Sequence, residues 1–327
     1  MLNNTSEFYP FLVNFGVTFK CNFNCKHCFL IKGEDLSFKQ IVSIIRQIVS
    51  EYKHLFFVLT GGEPFMRNDF LDIVKFLTKE GINFSISTNG SLLNKNIINK
   101  LLDTNLSYIQ ISIDEVKTEY IRGEFIDFQS YENIIKLLLD YKINVVVASV
   151  VTNKNIEDIP IISDFCDEIG VKVHRIIRYK PVKPTLLPNL EQVLSLMKEL
   201  KTKRNIEIDE AFPYVVKRII NKKSEQSCGA GKNFFSVSPD GFLYCCPHWY
   251  VLKKNKLAQF LLLGDLKSKK FSQLIKNKKL VEINSFDYKS IKGNCAYCKY
   301  LKICKGGCRV AAIYYGDFYG SDPLCIL

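Results

Sequence analysis

No apolar run in this 327-residue chain is long enough to cross a bilayer, which takes ~20 residues; stretches such as Val145–Val151 fall far short. Met1 to Pro10 lack the basic segment and apolar run of a secretory signal, so a cytoplasmic chain with no membrane partner is expected. Arginine is scarce, 8 residues against 37 lysines. The formal charge is +12, yet the basic residues are scattered with no long run. Phosphate readers favour arginine forks, so the lysines read as a solvated surface and no nucleic-acid partner is expected. Internal repeats are missing beyond an alternation of β and α elements. With 47% apolar and 24% charged residues, disorder and fibrous repeats are excluded for most of the chain. A prior of ~150 residues per domain suggests two domains.

Cysteine, by contrast, is plentiful, with 12 residues. In a long chain without a signal these read as metal ligands rather than disulfides. Three stand at Cys21, Cys25 and Cys28. Seven of the eight in the last hundred residues stand in ordered spacings: Cys228, Cys246, Cys295, Cys298, Cys304, Cys308 and Cys325. Cys166 sits in a helical stretch and reads as core. Cys245 is left over.

Before residue 205 the chain alternates. Strands are expected over 11–19, 54–60, 84–87, 108–113, 145–151 and 171–178. Helices follow each, the first opened by a Ser37/Gln40 capping box and the last by Asn189/Gln192. Six β-then-α units argue for parallel strands with right-handed crossovers, either an open doubly wound sheet or a partial barrel. In both, ligands bind at the carboxyl ends of the strands. The polar and glycine-rich segments 20–28, 60–64, 87–90 and 112–114 fall at those ends. Residues 206–227 read as a bridge with a helix near Pro213–Lys222. From Cys228 to residue 327 the texture is short, Cys-rich and irregular. A β-hairpin is expected there around Ser238-Pro239-Asp240-Gly241, and metal is expected to organise the rest.

Cys21-x3-Cys25-x2-Cys28 places three soft ligands on the loop after strand 1. A closed zinc site wants a fourth ligand, and the only local candidate, His27, lies between two cysteines. A four-iron cubane held by three cysteines leaves one iron open. The motif resembles the signature of the radical S-adenosylmethionine (radical SAM) superfamily. In that family the nucleotide chelates the open iron, and an electron from the cluster breaks its sulfonium bond to give a 5′-deoxyadenosyl radical. Gly61-Gly62-Glu63-Pro64 resembles the family's GGEP turn, which holds the methionine ammonium. Glycines let the backbone approach a ligand, and a carboxylate can pair with an amine. Ser87 and Asn89 at the end of strand 3, and Ser112 and Asp114 at the end of strand 4, resemble positions lining the ribose and carboxylate; each also suits a plain polar strand end. Arg122-Gly123 recurs in relatives with its role open. The resemblance implies a partial (β/α)6 barrel over residues 1–205.

The tail pattern Cys228-x12-Gly241-x4-Cys246, Cys295-x2-Cys298-x5-Cys304-x3-Cys308 and Cys325 resembles the SPASM extension of many radical SAM enzymes. The resemblance implies two auxiliary 4Fe–4S clusters, hence three in all. Cys228, Cys246 and Cys308 would hold the first; Cys295, Cys298, Cys304 and Cys325 the second. Paired structural zinc sites are the alternative for the tail alone. Neighbours on a strand face opposite ways, so Cys245 and Cys246 are not interchangeable. Cys245 then reads as a core thiol, a fourth ligand through local distortion, or a catalytic hydrogen donor facing substrate. SPASM enzymes mostly modify ribosomally made peptides or proteins by crosslinking, epimerisation or oxidation. Some relatives cut tetrapyrrole side chains, and the tail from Gly306-Gly307-Cys308-Arg309 to Asp322-Pro323-Leu324-Cys325 resembles those too. Pro247 stands where sulfatase-maturing relatives have Asp. With ten residues before strand 1, a separate leader-recognition protein or the barrel mouth would hold a precursor peptide. An external electron donor such as ferredoxin or flavodoxin is also implied. An iron–sulfur electron-transfer protein is the non-enzyme alternative.

Overall fold

The computed structural model describes residues 11–30, 32–116, 121–123, 127–180, 183–220, 228–248, 261–276, 278, 280–281 and 285–325. The six expected strands are present: β1 (Phe11–Thr18), β2 (Leu55–Gly61), β3 (Asn83–Thr88), β4 (Leu106–Ser112), β5 (Val145–Val151) and β6 (Val173–Arg178). The helices between them are α1 (Phe38–Glu51), α2 (Phe70–Lys79), α3 (Lys95–Leu101), α4 (Phe128–Asp140) and α5 (Asp158–Glu168), with α6 (Leu190–Leu200) after β6. Neighbouring strands pair in parallel from β1 to β6, so the chain crosses back through a helix each time. Both expected capping boxes form. Ser37 Oγ accepts from Gln40 N while Ser37 N donates to Gln40 Oε1, and Asn189 does the same with Gln192. α1 turns Ile41, Ile44, Ile45 and Ile48 onto the sheet, where Phe15, Phe57, Phe84 and Ile109 are fully buried. Each such side chain contributes ~1.5–3 kcal/mol.

Two parts of the sheet depart from the sequence reading. Ile206–Ile208 forms β7, paired parallel to β6, where a bridge was expected to begin. Three residues are too few for a period to register. A short helix, α7 (Tyr214–Ile219), follows within that stretch. The tail hairpin β8 (Phe234–Val237) and β9 (Phe242–Tyr244), extended by β10 (Leu262–Asp265), also belongs to the same sheet. β8 lies parallel to β1, giving the order β10-β9-β8-β1-β2-β3-β4-β5-β6-β7. The fold is therefore the expected partial barrel, with a C-terminal region built directly onto its first strand.

The tail also contributes to the apolar cores. Leu243, Tyr244, Leu263, Phe271, Val310 and Ile313 join the main core with the strands and helices of the first half. The last elements are α8 (Phe271–Leu274), α9 (Leu301–Cys304) and α10 (Arg309–Tyr314). A second core gathers β6, α6, β7 and α7 around Ile176, Met197 and Phe212, and Leu324 from the far end of the chain completes it. No described helix is long and apolar enough to cross a membrane.

Candidate cofactor site

The loop carrying Cys21, Cys25 and Cys28 leaves the end of β1 with little packing of its own. Cys21 and Cys28 are exposed and Cys25 is half-buried. Hydrogen bonds from the ends of β1, β2 and β3 and from the segment at 121–123 fix it instead. Asp35 closes the exit of β1, accepting from Thr18 Oγ1 at 2.5 Å and Phe19 N at 2.7 Å. The β2 turn clamps the next residues: Gly62 N donates to Thr18 O at 2.7 Å and Glu63 N to Lys20 O at 2.8 Å. A Cβ on Gly61 would lie 2.4 Å from Thr18 O, and one on Gly62 2.1 Å from Lys20 O. These glycines therefore serve the approach of β2 to the cysteine loop itself, a reason the sequence did not disclose.

Glu63 is fully buried. Its carboxylate accepts from Thr88 Oγ1 and Asn89 N at 2.8 Å each and from Phe65 N at 3.2 Å. Burial still pushes it above the ordinary carboxylate range, which suits a group that gains from a nearby cation. Asn89 reaches Asn22 in the loop through Nδ2 at 3.0 Å, and Asn22 in turn donates to Ser91. Ser87 accepts from Gln110 at 3.3 Å, and Ser112 ends β4 half-buried. Pro64 is buried at the start of the turn after Glu63.

Asp114 is committed elsewhere. Its Oδ2 accepts from Arg122 Nε at 2.9 Å and its Oδ1 from Val150 N at 2.7 Å. Burial pushes this carboxyl up, but Arg122, and then His27, outweigh it and hold it below the usual range. The pair gives Arg122-Gly123 its role. Arg122 lies over the Phe23 ring, Lys26 N donates to Ile121 O at 2.5 Å, and a Cβ on Gly123 would meet Asn24 O at 2.8 Å. His27 turns its Nε2 toward Asp114 at 3.6 Å. The segment at 121–123 thus holds the far side of the loop.

The donor set suits a thiolate-bound cluster. Phe23 N donates to Cys21 Sγ and Leu30 N to Cys28 Sγ, both at 3.4 Å, and such bonds stabilise sulfur that carries charge. Burial pushes all three thiols up, Cys25 to about 12, and binding a cation favours their thiolate form. Among the described residues no three His, Cys, Asp or Glu side chains close on a point that one metal ion would fill. A cubane carries its irons at the corners and accepts ligands that stand further apart.

Several of the tail thiols act on one another. Cys246 lies within electrostatic reach of Cys228 and Cys308, and burial pushes it well up. Cys245 and Cys246 both lie past the end of β9, in a bend rather than on the strand expected for them, and Cys245 feels burial alone. Cys295 takes a hydrogen bond from Cys325, which pulls it down, and Cys304 feels Cys295. Tyr300 N donates to Cys298 Sγ and Tyr214 N to Cys304 Sγ, both at 3.4 Å. One buried ion pair ties this region to the barrel. Arg178, at the end of β6, meets Asp322 in a fork at 2.5 and 2.7 Å, and Asp322 also accepts from Cys308 N at 2.7 Å. The sequence reading did not single out Arg178 and named Asp322 only within the tail resemblance, without a role; a charged residue ending an apolar strand was the available signal. Phe29, next to Cys28, meets His248, two residues past Cys246, edge to face at 4.7 Å.

The family model of the Radical SAM superfamily matches residues 16–166, from within β1 through α5. The chain carries a radical SAM domain. The cofactors of such a domain are S-adenosylmethionine and a 4Fe–4S cluster, and the Cys21–Cys28 loop is the part of it described above. Similarity to curated proteins runs beyond the domain. The mycofactocin maturase MftC of Mycobacterium ulcerans is 28% identical over 97% of this chain and 88% of its own length. The AdoMet-dependent heme synthase of Methanosarcina barkeri is 24% identical over 97% of this chain and 96% of its own. Among solved structures, Streptococcus suis SuiB bound to precursor peptide SuiA superposes with a TM-score of 0.73 at 18% identity, covering 98% of this chain and 76% of that one. The radical SAM domain and the tail therefore share one fold with SuiB.

Proposed function

We propose that this protein is a radical SAM maturase that modifies a ribosomally made peptide or protein. The observation that carries the reading is the match to a maturase over 97% of the chain. The SuiB likeness adds a fold that in that protein is bound to a precursor peptide. When bound, the cluster and nucleotide would supply an electron and a sulfonium bond whose cleavage yields a 5′-deoxyadenosyl radical. Cys21, Cys25 and Cys28 would hold the cluster. The clamp of Gly61, Gly62, Glu63 and Pro64 would set the loop's position and present a buried carboxylate to the methionine ammonium. Asn89 would steady the loop's first turn and Asp114 its last, through Arg122. Cys228, Cys246 and Cys308 would serve one auxiliary cluster and Cys295, Cys298, Cys304 and Cys325 another. Twelve thiols, none in a disulfide, suit a reducing cytoplasm with a ferredoxin or flavodoxin as donor.

A second reading, tetrapyrrole side-chain modification, has its own support in a match that spans 96% of a heme synthase. One experiment separates them. Reconstituted protein is incubated anaerobically with S-adenosylmethionine, a low-potential reductant, and either peptides encoded beside its gene or iron coproporphyrin. A substrate-dependent mass change in a peptide supports the maturase; a loss of carboxyl groups from the porphyrin overturns it.

A further inference from the structure

The stretch from Ser285 to Lys305 carries five lysines against one acid, Asp287. Lys289, Lys292, Lys299 and Lys302 are exposed, and of these Lys292 reaches Asp317 at 3.6 Å. Tyr297 stands between Cys295 and Cys298 and is 95% exposed. Ile303, next to Cys304, is 37% exposed. Tyr300 is approached by two cations. Arg218 Cζ and Lys299 Nζ each lie 5.2 Å from its ring centroid, and Arg218 Nη1 donates to its hydroxyl at 2.7 Å. The same tyrosine donates its backbone N–H to the Cys298 sulfur. Basic charge and exposed aromatic and aliphatic surface thus gather around two half-buried thiols, Cys298 and Cys304. Tyrosine and arginine are enriched where proteins meet, because each offers an apolar body with a polar end.

We infer that this face docks an acidic electron-carrier protein of the flavodoxin or ferredoxin type. The inference rests on the proposed function, in which Cys298 and Cys304 hold a cluster and an electron is supplied from outside. A positive surface steers a negative partner toward it and sets the partner's orientation. Transient electron-transfer complexes bury little area, below ~1,200 Å2, so a few side chains around one exposed ring suffice. On the same reading the nucleotide and the substrate occupy the front of the Cys21–Cys28 loop. That leaves the tail thiols as the side a carrier can approach.

The test is anaerobic titration calorimetry of the reconstituted full-length protein with oxidised flavodoxin at low and high salt, with iron analysis of the same sample. Binding is expected, and it should weaken as salt rises. Lys299→Glu combined with Lys302→Glu should weaken it about tenfold at low salt, and Tyr297→Ala about fivefold. The matched reversal, Lys95→Glu with Lys100→Glu, lies on α3 after β3, four strands from β7 in the sheet, and should leave binding unchanged. Should the tail pair lose iron, Arg218→Glu on α7, a helix without cysteine, decides alone: weaker binding supports the inference and unchanged binding overturns it. Equal weakening by both lysine pairs overturns it, as does binding that only Lys20→Glu with Lys26→Glu removes. A dimer in sedimentation that Tyr297→Ala breaks assigns the face to a second copy and overturns it too. No binding at about twelve irons per chain overturns the docking and leaves the proposed function standing. Iron that never exceeds about four per chain overturns the two-cluster reading, and the docking with it.

Discussion

The two cysteine-bearing regions are built on opposite principles. The 21–28 loop is eight consecutive residues with Cys21 and Cys28 exposed, held by hydrogen bonds from the ends of β2 and β3 and from Ile121. The tail draws its cysteines from segments up to 97 residues apart, and Cys246, Cys295 and Cys308 are buried. On the proposed reading, the loop that would admit a nucleotide is clamped by neighbouring elements, whereas the tail ligands are partly buried and drawn from distant segments.

Four changes would break or sharpen this contrast. Replacing Cys21, Cys25 and Cys28 together by Ala should abolish formation of 5′-deoxyadenosine, while the tail keeps about eight of about twelve irons. If the triple variant lost all its iron, the two regions would not be independent. Next in size, Cys246→Ala should lose about four irons and loosen the tail, whereas Cys245→Ala should keep its iron at a stability cost of about 1 kcal/mol for a small cavity. Equal iron loss in the two would mean that both thiolates bind. Arg178→Met leaves Asp322 buried and unpaired, with an expected loss of ~3–5 kcal/mol read by chemical denaturation. Adding Asp322→Leu should recover only part of it, because Cys308 N then lacks its acceptor. Gly62→Ala should cost about 1–3 kcal/mol by overpacking against Lys20 O. It should also weaken S-adenosylmethionine binding in calorimetry, and unchanged affinity would mean that the clamp does not set the loop.

Features encoded by neighbours in sequence were legible. The six β/α units, both capping boxes and the hairpin at Pro239-Asp240 rest on periods and turns spanning a few residues. The cysteine spacing is equally local, and it led to the radical SAM domain. What escaped depends on residues that meet only after folding. β7 has three residues and is defined by its pairing with β6. Arg122 and Asp114, or Arg178 and Asp322, carry no shared spacing that would mark them as partners. Gly61 and Gly62 were read as making room for a ligand, but the atoms they avoid belong to Thr18 and Lys20. Sequence showed which side chains carry chemistry better than it showed what holds them.

The pairing of β8 with β1 also sets an order of events during synthesis. Asn14 and Ser236 meet across 222 residues. At roughly 5–20 residues per second, one edge of β1 waits on the order of ten seconds or more for its neighbour after β2 has covered the other. That edge, along Leu12 to Phe15, presents unpaired backbone groups of the kind that recruit foreign strands. The nascent barrel is therefore most prone to aggregate in this interval. A ribosome-bound chain stopped before Phe234 would have every strand from β1 to β7 and still lack the one that seals its first.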